Sequence, residues 1–114
     1  MNHAELVATT CVPRKGPGDA VTDGDANTLL KQLPEWKLGD DGKDLRREFK
    51  FPDFHHTIGF VNAVAWMANR EDHHPDLEVG YNYCRMRWST HDVGGLSLND
   101  FICAAKVDAL FGKD

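Results

Sequence analysis

The composition of this 114-residue chain is that of an ordinary folded domain. Its length is enough for one hydrophobic core but not for two independent ones, so a second catalytic domain is excluded. Apolar residues make up 41% and charged residues 27% of the chain, which argues against wholesale disorder and against a membrane protein. The net charge of −5 argues against a protein that binds a nucleic-acid backbone, although a local basic patch is compatible with it.

The cysteines and the apolar segments indicate the compartment. Cys11, Cys84 and Cys103 are odd in number, lie far apart and form no CxxC motif, so neither a disulfide framework nor a zinc knuckle is indicated. The apolar stretch near the N-terminus is much shorter than the core of a signal peptide, and no run reaches the ~18 apolar residues of a membrane span. We therefore expect a cytoplasmic protein with no membrane partner.

Residues 1–24 are expected to form an irregular N-terminal arm, because glycines and prolines are frequent there among polar residues. At most a short helical turn near Glu5 is predicted. A structured domain is expected over residues 25–114. It begins with a short helix that an aspartate caps and that ends before Pro34, since the residue before a proline avoids helical geometry.

Two hairpins are predicted. The first begins at Trp36, turns at Asp41-Gly42 and returns with Leu45 and Phe49 on one face, the period of two of a half-buried antiparallel strand. The second covers residues 78–88, and its returning strand has three apolar residues on one face. These are Cys84, Met86 and Trp88.

Two longer helices complete the chain. Asp53 is expected to cap the first, whose apolar residues recur at helical spacing and extend over much of its circumference. They are Phe54, Ile58, Val61, Ala65 and Ala68, widened by Phe60, Val64 and Met67. A stripe this wide indicates a second partner, so we expect a homo-oligomer. Ser97 starts the last helix, and the Asp100 carboxylate is placed to reach back to it as in a capping box.

The order α-β-β-α-β-β-α predicts an α+β domain with three helices packed on one face of a four-stranded antiparallel sheet. The other face of the sheet is expected to be partly solvated or used for assembly.

Three histidines are the strongest functional signal. His73-His74-Pro75-Asp76 ends the long helix, and His91 follows one hairpin later in Ser89-Thr90-His91-Asp92. Adjacent residues inside a helix point about 100° apart, but at a helix end broken by proline both rings can line one site. Because an unperturbed pKa of about 6.5 lets histidine give and take protons near neutrality, the set predicts acid–base catalysis. The alternative interpretation is that these are surface histidines without a functional role.

A metal site and purely structural roles are the alternatives. Three histidines and a water form an open catalytic zinc site, but such sites usually take two ligands at HxH or HxxxH spacing, so metal binding is the less favoured alternative. The doublet His55-His56 lies in the first turn of a helix and is interpreted as a solvated pair. Trp36 is by default a core residue, although its place next to a loop makes it a candidate border for a flat ligand.

With these residues in view, the chain resembles the pterin-4a-carbinolamine dehydratases over roughly residues 25–110. The motifs that carry the resemblance are Leu33-Pro34-Glu35-Trp36, Phe49-Lys50-Phe51, His73-His74-Pro75-Asp76, Ser89-Thr90-His91-Asp92 and Gly95-Leu96-Ser97 with Asp100. Members often have a glutamate four positions before the first histidine, where this chain has Asn69.

The resemblance implies the same α+β fold, no metal and no organic cofactor, and catalysis by His73, His74 and His91. It also implies five residues that border the pterin, which are Asp72, Pro75, Thr90, Asp92 and Val93.

The implied reaction is the dehydration of a 4a-hydroxytetrahydropterin to the quinonoid dihydropterin, which recycles the cofactor of aromatic amino acid hydroxylases. In our hypothesis His74 is the acid at the C4a hydroxyl, His73 the base at N5, and His91 assists the leaving group. The implied partners are a pterin and further copies of the chain in a homodimer or homotetramer. The alternatives are a dimerisation partner of a transcription factor, which some relatives are, a dehydratase of another pterin-like metabolite, and a metal-dependent hydrolase.

Overall fold

A computed structural model of the protein describes residues 1–112. Within them, four α-helices and four strands follow one another as α1 (His3–Ala8), α2 (Asp23–Leu30), β1 (Lys37–Leu38), β2 (Leu45–Lys50), α3 (Phe54–Glu71), β3 (Asp76–Val79), β4 (Tyr83–Trp88) and α4 (Leu98–Phe111). Single 3-10 turns occur at Pro17–Asp19 and His91–Val93. The last two residues of the domain predicted over 25–114 lie outside the described residues.

The four strands form one antiparallel sheet in the order β1-β2-β4-β3, which confirms the predicted α+β fold. Leu45 pairs with Trp88 and Phe49 with Cys84, and all four are buried on the face that the helices cover. The other charged residues of β2 and β4 point to the opposite, exposed face, whereas Arg47 of β2 shares the covered face and binds Asp108 there. The period of two in the sequence therefore placed both strands correctly.

Helix α3 begins after Asp53, whose carboxylate accepts the backbone N–H of His56 at 2.9 Å, as predicted for its cap. The buried stripe is narrower than the apolar pattern and consists of Thr57, Phe60, Val64 and Ala68. Phe54 and Ala65, which were expected to face the core, are exposed. Because apolar residues surround most of this helix, the pattern alone did not determine which side faces the sheet.

Helix α4 is the centre of the core. Every residue from Phe101 to Ala105 is fully buried, because the sheet covers one side of the helix and α1 packs on another. Leu6 of α1 is also fully buried, and Lys106 of α4 donates to the carbonyl of Val7 at 2.6 Å. At the far end of α4, Gly112 adopts a left-handed φ of 79° and donates to the Asp108 carbonyl, which agrees with its predicted role as the helix end.

The N-terminal arm differs from the irregular segment expected over residues 1–24. Asn2 and Glu5 form a capping box that starts a six-residue helix, where at most a turn was predicted. Further along, the arm follows the edge of the domain through backbone bonds from Gly16 to Asp92 and from Val21 to Leu96. Local composition did not reveal this path because it depends on contacts with residues about 75 positions away. No helix among residues 1–112 has the length and apolar character needed to cross a bilayer.

Helix α2 starts inside the segment assigned to the arm, at Asp23. Its cap is Thr22, whose hydroxyl accepts the backbone N–H of Asp25 at 3.1 Å, and not the aspartate that the sequence suggested.

Candidate active site

A cavity of about 590 Å³ opens where the end of α3, the segment after β4 and the start of α4 meet the N-terminal arm. Its volume is within the range of ~300–1,000 Å³ typical of sites for small molecules. Its lining residues are Cys11, Val12, Pro13, Arg14, Lys15, Glu71, Asp72, His73, His74, Ser89, Thr90, His91, Asp92 and Asn99. The three predicted histidines therefore border one common cavity.

The end of α3 separates the two adjacent histidines. Asp72 caps the helix with φ 52° and ψ 41°, and it is the one non-glycine residue with positive φ in the described chain. This left-handed turn is sterically unfavourable for most side chains, but a short polar aspartate tolerates it. The chain thus leaves the helix one residue before His73, and not only at Pro75 as the sequence suggested.

His73 is held on two sides. Its Nε2 atom lies 2.6 Å from Oδ1 of Asp100, and its ring stacks on Trp88 with the ring centroids 5.6 Å apart and the planes 19° apart. The side chain is only 12% exposed. When Nε2–H donates to the carboxylate, Nδ1 is the ring nitrogen with a lone pair, so it is the one that can take a proton from a ligand.

Asp100 is a fully buried carboxylate in the first turn of α4. Its Oδ2 accepts the backbone N–H of Ser97 at 2.9 Å, as the capping-box prediction required, and also the hydroxyl of Thr90 at 2.7 Å. Burying a carboxylate is costly unless it is hydrogen-bonded, and here three donors surround it. One side chain therefore caps the helix, fixes the Thr90 segment and orients His73.

His74 has a weaker partner and more solvent. It is exposed, and its Nε2 lies 3.1 Å from Oδ1 of Asn69, the residue that occupies the position where relatives often have glutamate. An amide oxygen can accept the ring N–H but brings no negative charge to stabilise an imidazolium. His73 and His74 are thus placed in different electrostatic surroundings.

His91 begins the 3-10 turn that Thr90 caps, and it is exposed. The turn is closed by a left-handed Gly94 and by the hydrogen bond from Thr90 N–H to the Gly95 carbonyl at 2.7 Å. No side-chain hydrogen bond of His91 occurs within residues 1–112. Its ring is therefore the least restrained of the three.

Of the six other predicted site residues, three line the cavity and three do not. Asp72, Thr90 and Asp92 line it, whereas Pro75 and Val93 are absent from its lining. Pro75 follows the histidine doublet on the way into β3, and Val93 is buried.

Trp36 lies in the core and does not border the cavity, which corrects its assignment as a substrate-binding residue. It is 2% exposed, its indole N–H donates to Oδ1 of Asp108 at 2.8 Å, and its ring meets Phe49 edge-on with the centroids 6.0 Å apart. The same Asp108 oxygen accepts Arg47 at 2.7 Å, so the indole belongs to a structural polar cluster.

Sequence reasoning missed the wall of the cavity that the arm supplies, from Cys11 to Lys15, as well as Asn99 of α4. A basic Arg-Lys pair in a glycine- and proline-rich segment was visible, but nothing local indicated that it returns to the histidines. Within residues 1–112, no group of three His, Cys, Asp or Glu side chains is arranged to hold a metal ion.

The chain is similar in sequence to known proteins over most of its length. The family model described as "Pterin 4 alpha carbinolamine dehydratase" matches residues 19–110. A relative from Stenotrophomonas maltophilia, strain K279a, named "Putative pterin-4-alpha-carbinolamine dehydratase", is 54% identical over 105 residues, which are 92% of this chain and 90% of that protein. A protein of the same name from Xanthomonas oryzae pv. oryzae, strain MAFF 311018, is 54% identical over 90% of this chain and 87% of its own length.

Two solved structures share the fold. A crystal structure from Brucella melitensis, described as a transcriptional coactivator/pterin dehydratase, has a TM-score of 0.78 and 32% identity and covers 82% of this chain and 99% of its own. A pterin dehydratase-like protein described as a RuBisCO assembly factor in the α-carboxysome has a TM-score of 0.60 and 25% identity, over 70% of this chain and 93% of its own.

Proposed function

Because the chain belongs to the pterin-4-alpha-carbinolamine dehydratase family, we propose that it removes water from a 4a-hydroxytetrahydropterin by acid–base catalysis with His73, His74 and His91. The observation that carries this proposal is the convergence of the three imidazoles on one cavity, with a buried carboxylate behind one of them. The product is a quinonoid dihydropterin, which a reductase can return to the tetrahydropterin cofactor of aromatic amino acid hydroxylases.

The reaction is the collapse of a hemiaminal. The bond between C4a and its hydroxyl oxygen breaks, the oxygen leaves as water with a proton from an acid, and N5 gives its proton to a base as the C4a–N5 double bond forms. No electrons enter or leave the substrate, so the reaction needs one base and one acid. General acid–base catalysis typically contributes ~10²–10⁴-fold, which suits a reaction of this kind.

His73 is the better base of the pair. When it takes the N5 proton it becomes an imidazolium, and the Asp100 carboxylate 2.6 Å from its other nitrogen stabilises that charge. The stack on Trp88 keeps the ring plane fixed during the transfer. Asp100 acts here as a positioning residue because it reaches the substrate only through His73.

His74 is the better acid because its partner, Asn69, carries no charge that would hold the proton on the ring. Its exposure lets it be reprotonated from water after each turnover. His91 completes the rim of the cavity, and we assign it to the orientation of the departing hydroxyl.

The test is an ultraviolet assay of carbinolamine loss with the purified protein and its His73→Ala, His74→Ala and His91→Ala variants. Each variant is expected to lower the catalysed rate by about tenfold or more, and the double variant of His73 and His74 to remove catalysis. His55→Ala is the matched control, since His55 is an exposed histidine of α3 outside the cavity. Wild-type rates in the double variant would overturn the proposal.

We also propose that the protein is a homo-oligomer, a dimer or a tetramer, assembled in part through the outer face of α3. Trp66 on this face is 69% exposed, and Ala65 beside it is exposed too. Light scattering after gel filtration gives the mass of the assembly. Trp66→Glu is expected to lower it, whereas a monomeric wild-type protein would contradict the proposal.

A second candidate function is an interaction module without catalysis. The observation that favours it is the shared fold with a protein described as a transcriptional coactivator as well as a pterin dehydratase. A catalytically inactive His73/His74 variant that still restores the phenotype of a deletion strain would favour this candidate. Loss of complementation in that variant would favour the enzyme.

A further inference from the structure

The N-terminal arm contributes two cationic side chains to the cavity of the three histidines. Arg14 and Lys15 line it, although they precede residues 19–110, the part of the chain that the family model matches. This part of the cavity wall thus lies outside the segment that the family model matches.

Hydrogen bonds hold this part of the arm in place. Asn99, the second residue of α4, donates to the Val12 carbonyl at 2.7 Å and accepts Nε of Arg14 at 3.2 Å. Before this point the backbone N–H of Cys11 donates to Oε1 of Glu71 at 2.8 Å, and after it Gly16 donates to the carbonyl of Asp92 at 3.0 Å. The Arg14 side chain thus stands at the cavity on a segment anchored at both ends.

The charges of the two arm residues are not neutralised inside the protein. Arg14 uses Nε for Asn99, and neither its terminal nitrogens nor the Lys15 ammonium forms an ion pair with a carboxylate in the part of the chain that is described. Glu71, an acid of the cavity wall, already accepts the backbone N–H of Cys11 and lies 3.7 Å from the Lys106 ammonium. Two positively charged side chains therefore remain available to bind a ligand.

We infer that Arg14 and Lys15 select a pterin whose substituent carries an anionic group, a phosphate or a carboxylate. This inference rests on the proposed function, because the histidines would hold the bicyclic ring that all pterins share while the arm would contact the part in which pterins differ. A guanidinium matches the geometry of both anions with paired N–H donors, and a neighbouring ammonium adds a point charge.

The experiment measures binding by calorimetry to the full chain with three ligands that share one ring. They are 6-hydroxymethyl-7,8-dihydropterin, its monophosphate and 6-carboxy-7,8-dihydropterin. The wild type is expected to bind at least one of the anionic ligands about tenfold more tightly than the neutral one, and the preference is expected to shrink as potassium chloride is added. The anion that gains affinity identifies whether phosphate or carboxylate is the preferred group.

The Arg14→Gln/Lys15→Gln variant is expected to bring the ratio of anionic to neutral affinity close to one. The matched control is Lys31→Gln/Arg87→Gln, which also removes one lysine and one arginine charge, but from exposed positions outside the cavity. This variant should keep the wild-type ratio. An equal loss in both double variants would mean that only net charge matters and would overturn the inference. Equal affinity of the wild type for all three ligands would overturn it as well, whereas failure to bind any of them would contradict the proposed function.

Discussion

The Nε2 atom of His73 and the Oδ1 atom of Asp100 lie 2.6 Å apart, although 27 residues separate them in the chain. The carboxylate is fully buried, and its second oxygen accepts Thr90 and the backbone of Ser97. One side chain thus joins the end of α3 to the segment after β4, so the position of the base depends on the start of α4.

Asp100→Asn is expected to reduce kcat by about tenfold or more with a smaller change in KM, because the imidazolium of His73 loses its stabilising charge while the cavity keeps its shape. Steady-state kinetics of dehydration measure both constants. Ser97→Ala is the control, since it removes a hydroxyl from the same buried network outside the cavity lining and leaves the contact of Asp100 with His73 intact. Equal losses in the two variants would mean that Asp100 acts only through the fold.

Asn69→Ala is expected to lower the dehydration rate several-fold without a change in stability, because it frees the ring of His74 at an exposed position. Asn62→Ala removes an exposed amide of the same helix away from the cavity and is the matched control. The dehydration rate and the urea midpoint of unfolding are measured for both variants and compared with those of the wild type. An Asn69→Ala enzyme as fast as the wild type would show that His74 needs no partner.

Trp36→Phe is expected to lower the free energy of unfolding by about 1–3 kcal/mol, because Asp108 loses a buried donor. KM for the pterin should stay within about twofold of the wild type, since Trp36 lies away from the cavity. Trp66→Phe on the exposed face of α3 is the control for the loss of an indole. A raised KM together with unchanged stability would show that Trp36 contributes to substrate binding.

Burial raises the pKa of the Cys84 thiol from 9.0 to about 11. The unfolded chain loses this proton above about pH 9 while the native protein keeps it, so the contribution to stability is complete below pH 9 and falls as the pH rises toward 11. Urea unfolding between pH 8 and 10.5 is expected to show a flatter decline for Cys84→Ala than for the wild type. Parallel declines would contradict the assignment. The hydrogen bond with Cys11, together with burial, also raises the pKa of Cys103, so some decline is expected in both proteins.

The sheet and the meeting of the three histidines at one cavity could be predicted because their signals are local. In β2 and β4 covered and exposed positions alternate, with Arg47 as the one charged residue on the covered side, and the proline after His74 marks the end of a helix. The wide apolar pattern of α3 fits several orientations, so the exposure of Trp66 was not predictable from it.

The remaining features depend on partners far away in the chain. The Trp36 indole lies in the core because Asp108, 72 residues later, accepts its N–H. The arm is ordered because Leu6 packs on α4 and Asn99 binds the segment from Val12 to Arg14. No periodicity within residues 1–24 records these contacts, which is why the arm was expected to be irregular.

Because Leu6 is completely buried, α1 is part of the structure that supports the binding cavity. The wall from Cys11 to Lys15 begins three residues after α1 ends, so a chain that lacks α1 would uncover α4 and leave the wall held only by its own hydrogen bonds to the domain. Deletion of α1 is therefore expected to lower both the thermal stability and the ligand selectivity of the protein. Expression tags are better fused at the C-terminus.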